Sequence, residues 1–311
     1  MVTFSVPGLG RLYDAYLYPD DGPRPRFDAP LGEPALTPAD GVSWRVFANP
    51  VTLFVGGVLA VILELSLPSV RHGVWDHSTF AQDPRERLRR TGLAAMVTIY
   101  AGRSVALPMI GRVNRIHAGI KGVTDRGEPY RADDDRLLTW VHATAAFGFA
   151  RAYDALTMPL SPSEWDALFT EAKPVATAYG ALSAPASFAG WEDLLTRTAP
   201  DLEGSDVLDT FLGLMANRTV LPRAAKPLQA PLVRVAASLV PAPVAGRIGL
   251  PRKLKVRATD WSLARFAART AAQLALPESP PALARRRLGI VRSTTGGTPP
   301  TVAARLGGDR K

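Results

Sequence analysis

The chain has 311 residues, 47% hydrophobic and 21% charged, which suits one large or two modest folded domains and excludes a disordered or fibrous chain. With no cysteine, it cannot build a disulfide framework, a thiolate zinc site, an iron–sulfur cluster, a cysteine-ligated heme or a cysteine nucleophile. The net charge of +9 is lopsided: residues 1–222 carry 20 Lys/Arg against 25 Asp/Glu, and residues 223–311 carry 17 against 3.

In chain order, the opening MVTFSVPGLGRLYDAYLYPDD has neither a basic leader nor a continuous apolar core, so no secretory signal is expected and a cytoplasmic location is. Residues 1–45, rich in Pro, Gly and Asp, read as an arm laid on the surface. The most apolar run, VTLFVGGVLAVILELSL at 51–67, contains Glu64, is interrupted by Gly56 and Gly57 and is closed by Pro68. A membrane span needs roughly 20 residues with few or no charges, so this run reads as a buried core helix.

Apolar residues at three- and four-residue steps predict further helices over 84–106, 106–121 and 133–156. Asp133, Asp134 and Asp135 place negative charge where the last of these begins. Ser161, Pro162 and Glu164 form a capping-box start for the next helix, and others are expected at 188–197, 205–217, 231–239 and 261–276. No convincing alternating strand is visible. The expectation is an all-α fold: an arm (1–45), a helical domain (46–276) and a basic tail (277–311) whose PESPP, STTGGTPP and GGDRK stretches predict disorder.

The densest polar cluster is RHGVWDHSTFAQDPRERLRRT at 71–91. Asp83 followed by Pro84 is a favoured helix start. On that helix Arg87 and Thr91 are four residues apart and share a face, with Arg90 on an adjacent row. A guanidinium and a hydroxyl on one face can grip a carboxylate or polarise a bound oxygen species. The same spacing also describes an ordinary solvated arginine face.

Histidines are confined to His72, His77, His117 and His142. His117 shares its helical face with Ile110, Val113 and Ile120, and His142 with Leu138, Ala145, Ala146 and Phe149. Both imidazoles therefore point inward, either as neutral structural residues or as a nitrogen ligand in a dry pocket. His72, Asp76 and His77 lack the second carboxylate–histidine pair of a hydrolytic metal site. No GxSxG elbow, Walker A loop or GxGxxG after a strand is present, so serine-hydrolase, P-loop and Rossmann readings lack their primary signal.

The ordered set ANPVTLFVGGVLAVILELSLPSV, GVWDHSTFAQDPRERLRRT, RVNRIHAGIKG, DRGEPYRADD and LLTWVHAT resembles the MpaB-type oxygenases, which share a catalytic domain with the bacterial latex-clearing proteins, the rubber oxygenases. The likeness spans roughly 49–153 and continues more weakly through PLSPSEWDALFTE. It implies an all-helical protein that binds heme b and uses molecular oxygen to cleave carbon–carbon double bonds in isoprenoid chains.

Carried over by position, the resemblance makes Arg87 and Thr91 the distal pair and His117 the proximal iron ligand, with His142 in reserve. Latex-clearing proteins carry a lysine just before that threonine, where this chain has Arg90. An arginine stays protonated and is not an iron ligand, so an open or water-occupied sixth position is expected. Asp76 and His77 are candidates for a supporting role beside the pocket, and N-capping is the alternative role for Asp76.

A rival reading is a heme- or lipid-binding helical protein without turnover. The basic C-terminal segment is expected to favour anionic surfaces. Its aromatics are few, Trp261 and Phe266, so peripheral contact with anionic membrane is expected and specific nucleic-acid binding is not.

Overall fold

A computed structural model of the chain describes residues 24–250, 254–274 and 276–290, with residues 10, 13, 14 and 17–19 of the segment before them. Among these are thirteen helices: α1 (Val42–Val46), α2 (Pro50–Leu65), α3 (Pro68–Trp75), α4 (Pro84–Tyr100), α5 (Arg103–Gly119), α6 (Asp135–Leu156), α7 (Pro162–Ala178), α8 (Phe188–Thr198), α9 (Asp206–Asn217), α10 (Lys226–Ser238), α11 (Ala242–Ile248), α12 (Ala258–Gln273) and α13 (Pro280–Arg287). Between α5 and α6 lies an antiparallel pair, β1 (Lys121–Val123) and β2 (Pro129–Arg131). The fold is all-α but for this small sheet.

The centre is the packing of α2 against α6, with α10 and α12 also laid on α2. Helix α2 starts where Asn49 accepts from the Val51 and Thr52 N–H groups, and Pro50 occupies the first turn, where its missing donor costs nothing. The Asn49 side chain also donates to the Ala268 carbonyl of α12, so one residue caps one helix and ties it to another. Phe54, Val55, Val58, Leu59, Ile62 and Leu63 are buried, as the apolar run predicts. Trp140 of α6 donates its indole N–H to the Leu63 carbonyl. No helix among the described residues is long and apolar enough to cross a membrane by itself, although α2 with α3 and α10 with α11 pass on length and composition as pairs bent by 113° and 109°.

Helix starts follow the expected chemistry. Asp134 accepts from Arg136 and Leu137 at the head of α6, and Ser161 with Glu164 closes a full capping box on α7. The break between α4 and α5 falls at Ala101 and Gly102, earlier than apolar spacing suggests. There the chain turns over the arm: the Glu33 carboxylate accepts from the Ser104 N–H and hydroxyl, and a Cβ on Gly102 would collide with it.

The hairpin pairs Lys121 with Arg131, Gly122 with Tyr130 and Val123 with Pro129. Gly127 adopts φ 81°, a left-handed turn conformation that suits glycine. Strands of three residues are too short to show a period of two, which is why alternation gives no warning of them. The hairpin is fastened to α3, where Arg71 meets Asp125 at 3.4 Å and His72 Nε2 accepts the Asp125 N–H at 3.2 Å.

Part of the segment expected to be a disordered tail is ordered. Arg287, 1% exposed, donates to the Phe27 and Glu33 carbonyls, and its own carbonyl accepts from the Gly32 N–H, so α13 is stitched to the arm. Three hydrogen bonds to backbone outweigh the disorder-prone composition here. Residues 291–311 lie outside the described residues.

Candidate functional site

A cavity of about 520 Å³ lies between α2, α4, α5, α6 and α7. Such a volume falls within the ~300–1,000 Å³ usual for ligand and cofactor sites. It exists because the facing positions are small: Gly57 and Ala60 on α2, Ala94 and Ala95 on α4, Ala145 and Ala146 on α6. Its lining runs from the exposed Arg90 and Thr91 and the half-buried Ser78 to the buried Ser43, Leu168 and Phe169.

The sequence-derived candidates largely converge on this wall: His77, Arg87, Arg90, Thr91, His117 and His142 all line it. Arg87 and Thr91 come from one face of α4, whose first turn is organised by Asp83 accepting from the Glu86 N–H. Burial lowers the Arg87 pKa and the nearby Glu64 charge opposes that shift, but an arginine so perturbed is still a cation. Arg90 is turned outward, donating to Glu86 at 2.9 Å, and is an exposed rim residue.

His117 on α5 and His142 on α6 face the cavity as neutral rings. Burial, then the Arg87 charge, lowers the His117 pKa; burial, then His117, lowers that of His142 to about 4. His117 Nδ1 is buried with no hydrogen-bond partner among the described residues. The His142 ring packs on Tyr179, centroids 4.7 Å apart, and the Tyr179 hydroxyl lies 3.1 Å from that of Thr98.

Asp76 does not line the cavity. It is the C-cap residue of α3, not an N-cap: its N–H donates to the His72 carbonyl and its carboxylate takes the His72 Nδ1–H at 2.8 Å. The N-cap of the neighbourhood is Asp83. His77 is on the wall, with Nε2 3.1 Å from the Tyr130 hydroxyl.

Sequence reasoning treated Glu64 only as an interruption of an apolar run. The structure turns it into the cavity, where burial raises its pKa to about 7 against the opposing pull of Arg87. The signal was the position itself: an ionisable group in the most apolar helix of the chain is costly unless it is used. Tyr179 was missed too, lying beyond the quoted motifs.

The family model described as ER-bound oxygenase mpaB/B'/Rubber oxygenase, catalytic domain, matches residues 44–275, from within α1 to just past α12. The chain belongs to this oxygenase family. No curated protein and no solved structure matches it. The side chains fit a heme in kind: two neutral imidazoles, one with an orphaned buried nitrogen, face a cavity walled by small apolar residues, with a cationic guanidinium nearby. They fit a bare multi-carboxylate metal site poorly, since among the described residues no three His, Asp or Glu side chains are grouped to hold an ion.

Proposed function

We propose that the protein is a heme b-dependent oxygenase that uses molecular oxygen to cleave a carbon–carbon double bond in an isoprenoid or other lipid-like substrate. What supports this reading is the convergence of Arg87, Thr91, His117, His142 and the buried Glu64 on one cavity in a chain of an oxygenase family. His117 would hold the iron, with His142 the reserve ligand. Heme, when bound, supplies the redox chemistry with dioxygen that no side chain here can perform.

The chain's own residues account for the rest. Arg87 and Thr91 supply hydrogen-bond donors in the lining, where they orient and stabilise a reacting oxygen atom. Glu64, poised near neutrality, holds a proton on its carboxyl oxygen or gives it up within the cavity. The apolar lining, with Phe47, Phe149 and Leu168, excludes water and receives a hydrocarbon chain. Arg90, held outward by Glu86, does not cap the iron.

We further propose peripheral contact with anionic membrane through the basic C-terminal surface. Phe266 is 70% exposed on α12, flanked by the exposed Arg265 and Arg269, while the nearby Asp260 is buried against Arg234. An outward aromatic between cations is the composition of an interfacial contact.

The test is an ultraviolet–visible spectrum of purified protein, as isolated and after dithionite with carbon monoxide, for wild type, His117→Ala and His142→Ala. A Soret band that binds carbon monoxide and is lost or shifted in His117→Ala supports the assignment. Loss only in His142→Ala exchanges the ligands. No Soret band after heme is supplied leaves a lipid-binding helical protein.

A further inference from the structure

The hairpin is the one non-helical element among the described residues, and through Tyr130 it reaches His77, a residue of the cavity wall. Tyr130 on β2 is 6% exposed, and its hydroxyl lies 3.1 Å from His77 Nε2. Its cross-strand partner is Gly122. A Cβ there would sit 2.6 Å from the Tyr130 oxygen and 2.8 Å from its Cζ, so glycine opposite the tyrosine is what lets the ring lie across the strand and reach His77. Gly73 of α3 leaves room on another side, where a Cβ would meet the ring at 3.7 Å.

The direction of that hydrogen bond follows from what each atom has to satisfy. A phenol carries one hydrogen, and the Tyr130 hydroxyl has no other partner among the described residues. If His77 donated, the tyrosine hydrogen would have no acceptor among the described residues and would have to turn to solvent from a part-buried contact. If Tyr130 donates, both atoms are satisfied. Burial and the nearby Asp76 charge keep the phenol protonated, so it remains able to donate.

We infer that Tyr130 is a positioning residue: by donating to His77 Nε2 it holds His77 as its Nδ1–H tautomer and so turns a donor toward the cavity. His77, Arg87 and Thr91 all line the cavity, so His77 in this tautomer adds a donor to those of the other two, the kind of set that suits an oxygen-bearing ligand. Glu64 is the carboxylate of the same lining. The tautomer rests on the hydroxyl having no other partner among the described residues, while its use in handling oxygen rests on the oxygenase reading.

Four histidines make the test tractable by nitrogen-15 NMR of the full chain without added heme, at alkaline pH where the rings are neutral. His77→Gln identifies the signals. The expected wild-type result is a protonated Nδ1 and an unprotonated Nε2 on His77. In Tyr130→Phe, which keeps the packing ring, both shifts move toward the opposite tautomer, and Gly122→Ala moves them the same way by displacing the hydroxyl.

A protonated Nε2 in wild type overturns the inference whatever the variants do. Unchanged His77 shifts in a folded Tyr130→Phe overturn it as well. Should Tyr130→Phe fail to fold, the wild-type spectrum still decides the direction of the bond. Absence of a Soret band in the heme experiment would remove the oxygenase reading and leave the tautomer result standing, so the two failures are distinct.

Discussion

Gly56 of α2 and Gly148 of α6 meet where the two helices cross: a Cβ on Gly56 would lie 2.7 Å from the Phe149 Cα, and one on Gly148 would lie 2.7 Å from the Gly56 carbonyl oxygen. Backbone cannot swing aside as a side-chain tip can, so the helices must separate to admit a methyl group. Gly57, one residue on, faces the cavity, and a Cβ there would meet the Phe149 ring at an ordinary 3.7 Å. Gly56→Ala and Gly148→Ala are each expected to destabilise the fold by about 1–3 kcal/mol or more through overpacking. Gly57→Ala is expected to be neutral or stabilising by up to about 1 kcal/mol, the helix-propensity gain. Urea denaturation of the three variants checks this, and equal losses at Gly56 and Gly57 would refute the crossing geometry.

Glu64 gives a pH dependence of definite sign. Its folded pKa, about 7, lies above the ordinary carboxylate value, so the folded state binds the extra proton. The stability this contributes is complete below about pH 4.5 and is lost as pH rises toward 7. Glu64→Gln is therefore expected to exceed wild type by about 3 kcal/mol above pH 7, with the difference fading at acid pH. Denaturation midpoints of the heme-free protein across that range decide it. A variant less stable than wild type at alkaline pH would mean that the carboxylate is paired and not merely buried.

His142 works in the opposite direction through an overlapping window. Its folded pKa, about 4, is below the ordinary imidazole value, so the unfolded chain takes up the proton first as the solution is acidified. Stability present above pH 6.5 is lost as pH falls toward 4, by about 3 kcal/mol. In wild type this loss is offset by the gain at Glu64. Glu64→Gln should expose the histidine loss, and the double variant with His142→Gln should flatten the profile. A profile that keeps its acid slope without His142 would assign the slope elsewhere.

The central helices were legible because periodicity and caps are local: Asn49, Asp134 and Ser161 announce their helices within a few residues. The short α3, α11 and α13 were not, because helices of seven or eight residues depend on packing partners distant in sequence, as Arg287 depends on the Phe27 and Glu33 carbonyls. In the site, Arg87, Thr91, His117 and His142 could be read from spacing and resemblance. Glu64 and Tyr130 could not be assigned a role, since each acquires one only from what faces it: the Arg87 charge for the first, His77 for the second.

Two changes near the C-terminus are expected to have different effects. Removing 291–311 keeps α13 and its bonds to the arm, so the thermal midpoint should hold within error. Arg287→Ala leaves the Phe27 and Glu33 carbonyls without a protein donor inside a packed contact and should cost about 1–3 kcal/mol. Vesicle pelleting then separates charge on the tail from the α12 surface. If Phe266 and its flanking arginines make the membrane contact, Phe266→Asp weakens binding to phosphatidylserine vesicles severalfold in the full chain and the 291–311 deletion does not. Binding lost with the deletion and retained in Phe266→Asp would move the contact to the tail. Equal pelleting of both variants and wild type on neutral and anionic vesicles would remove the electrostatic contact altogether.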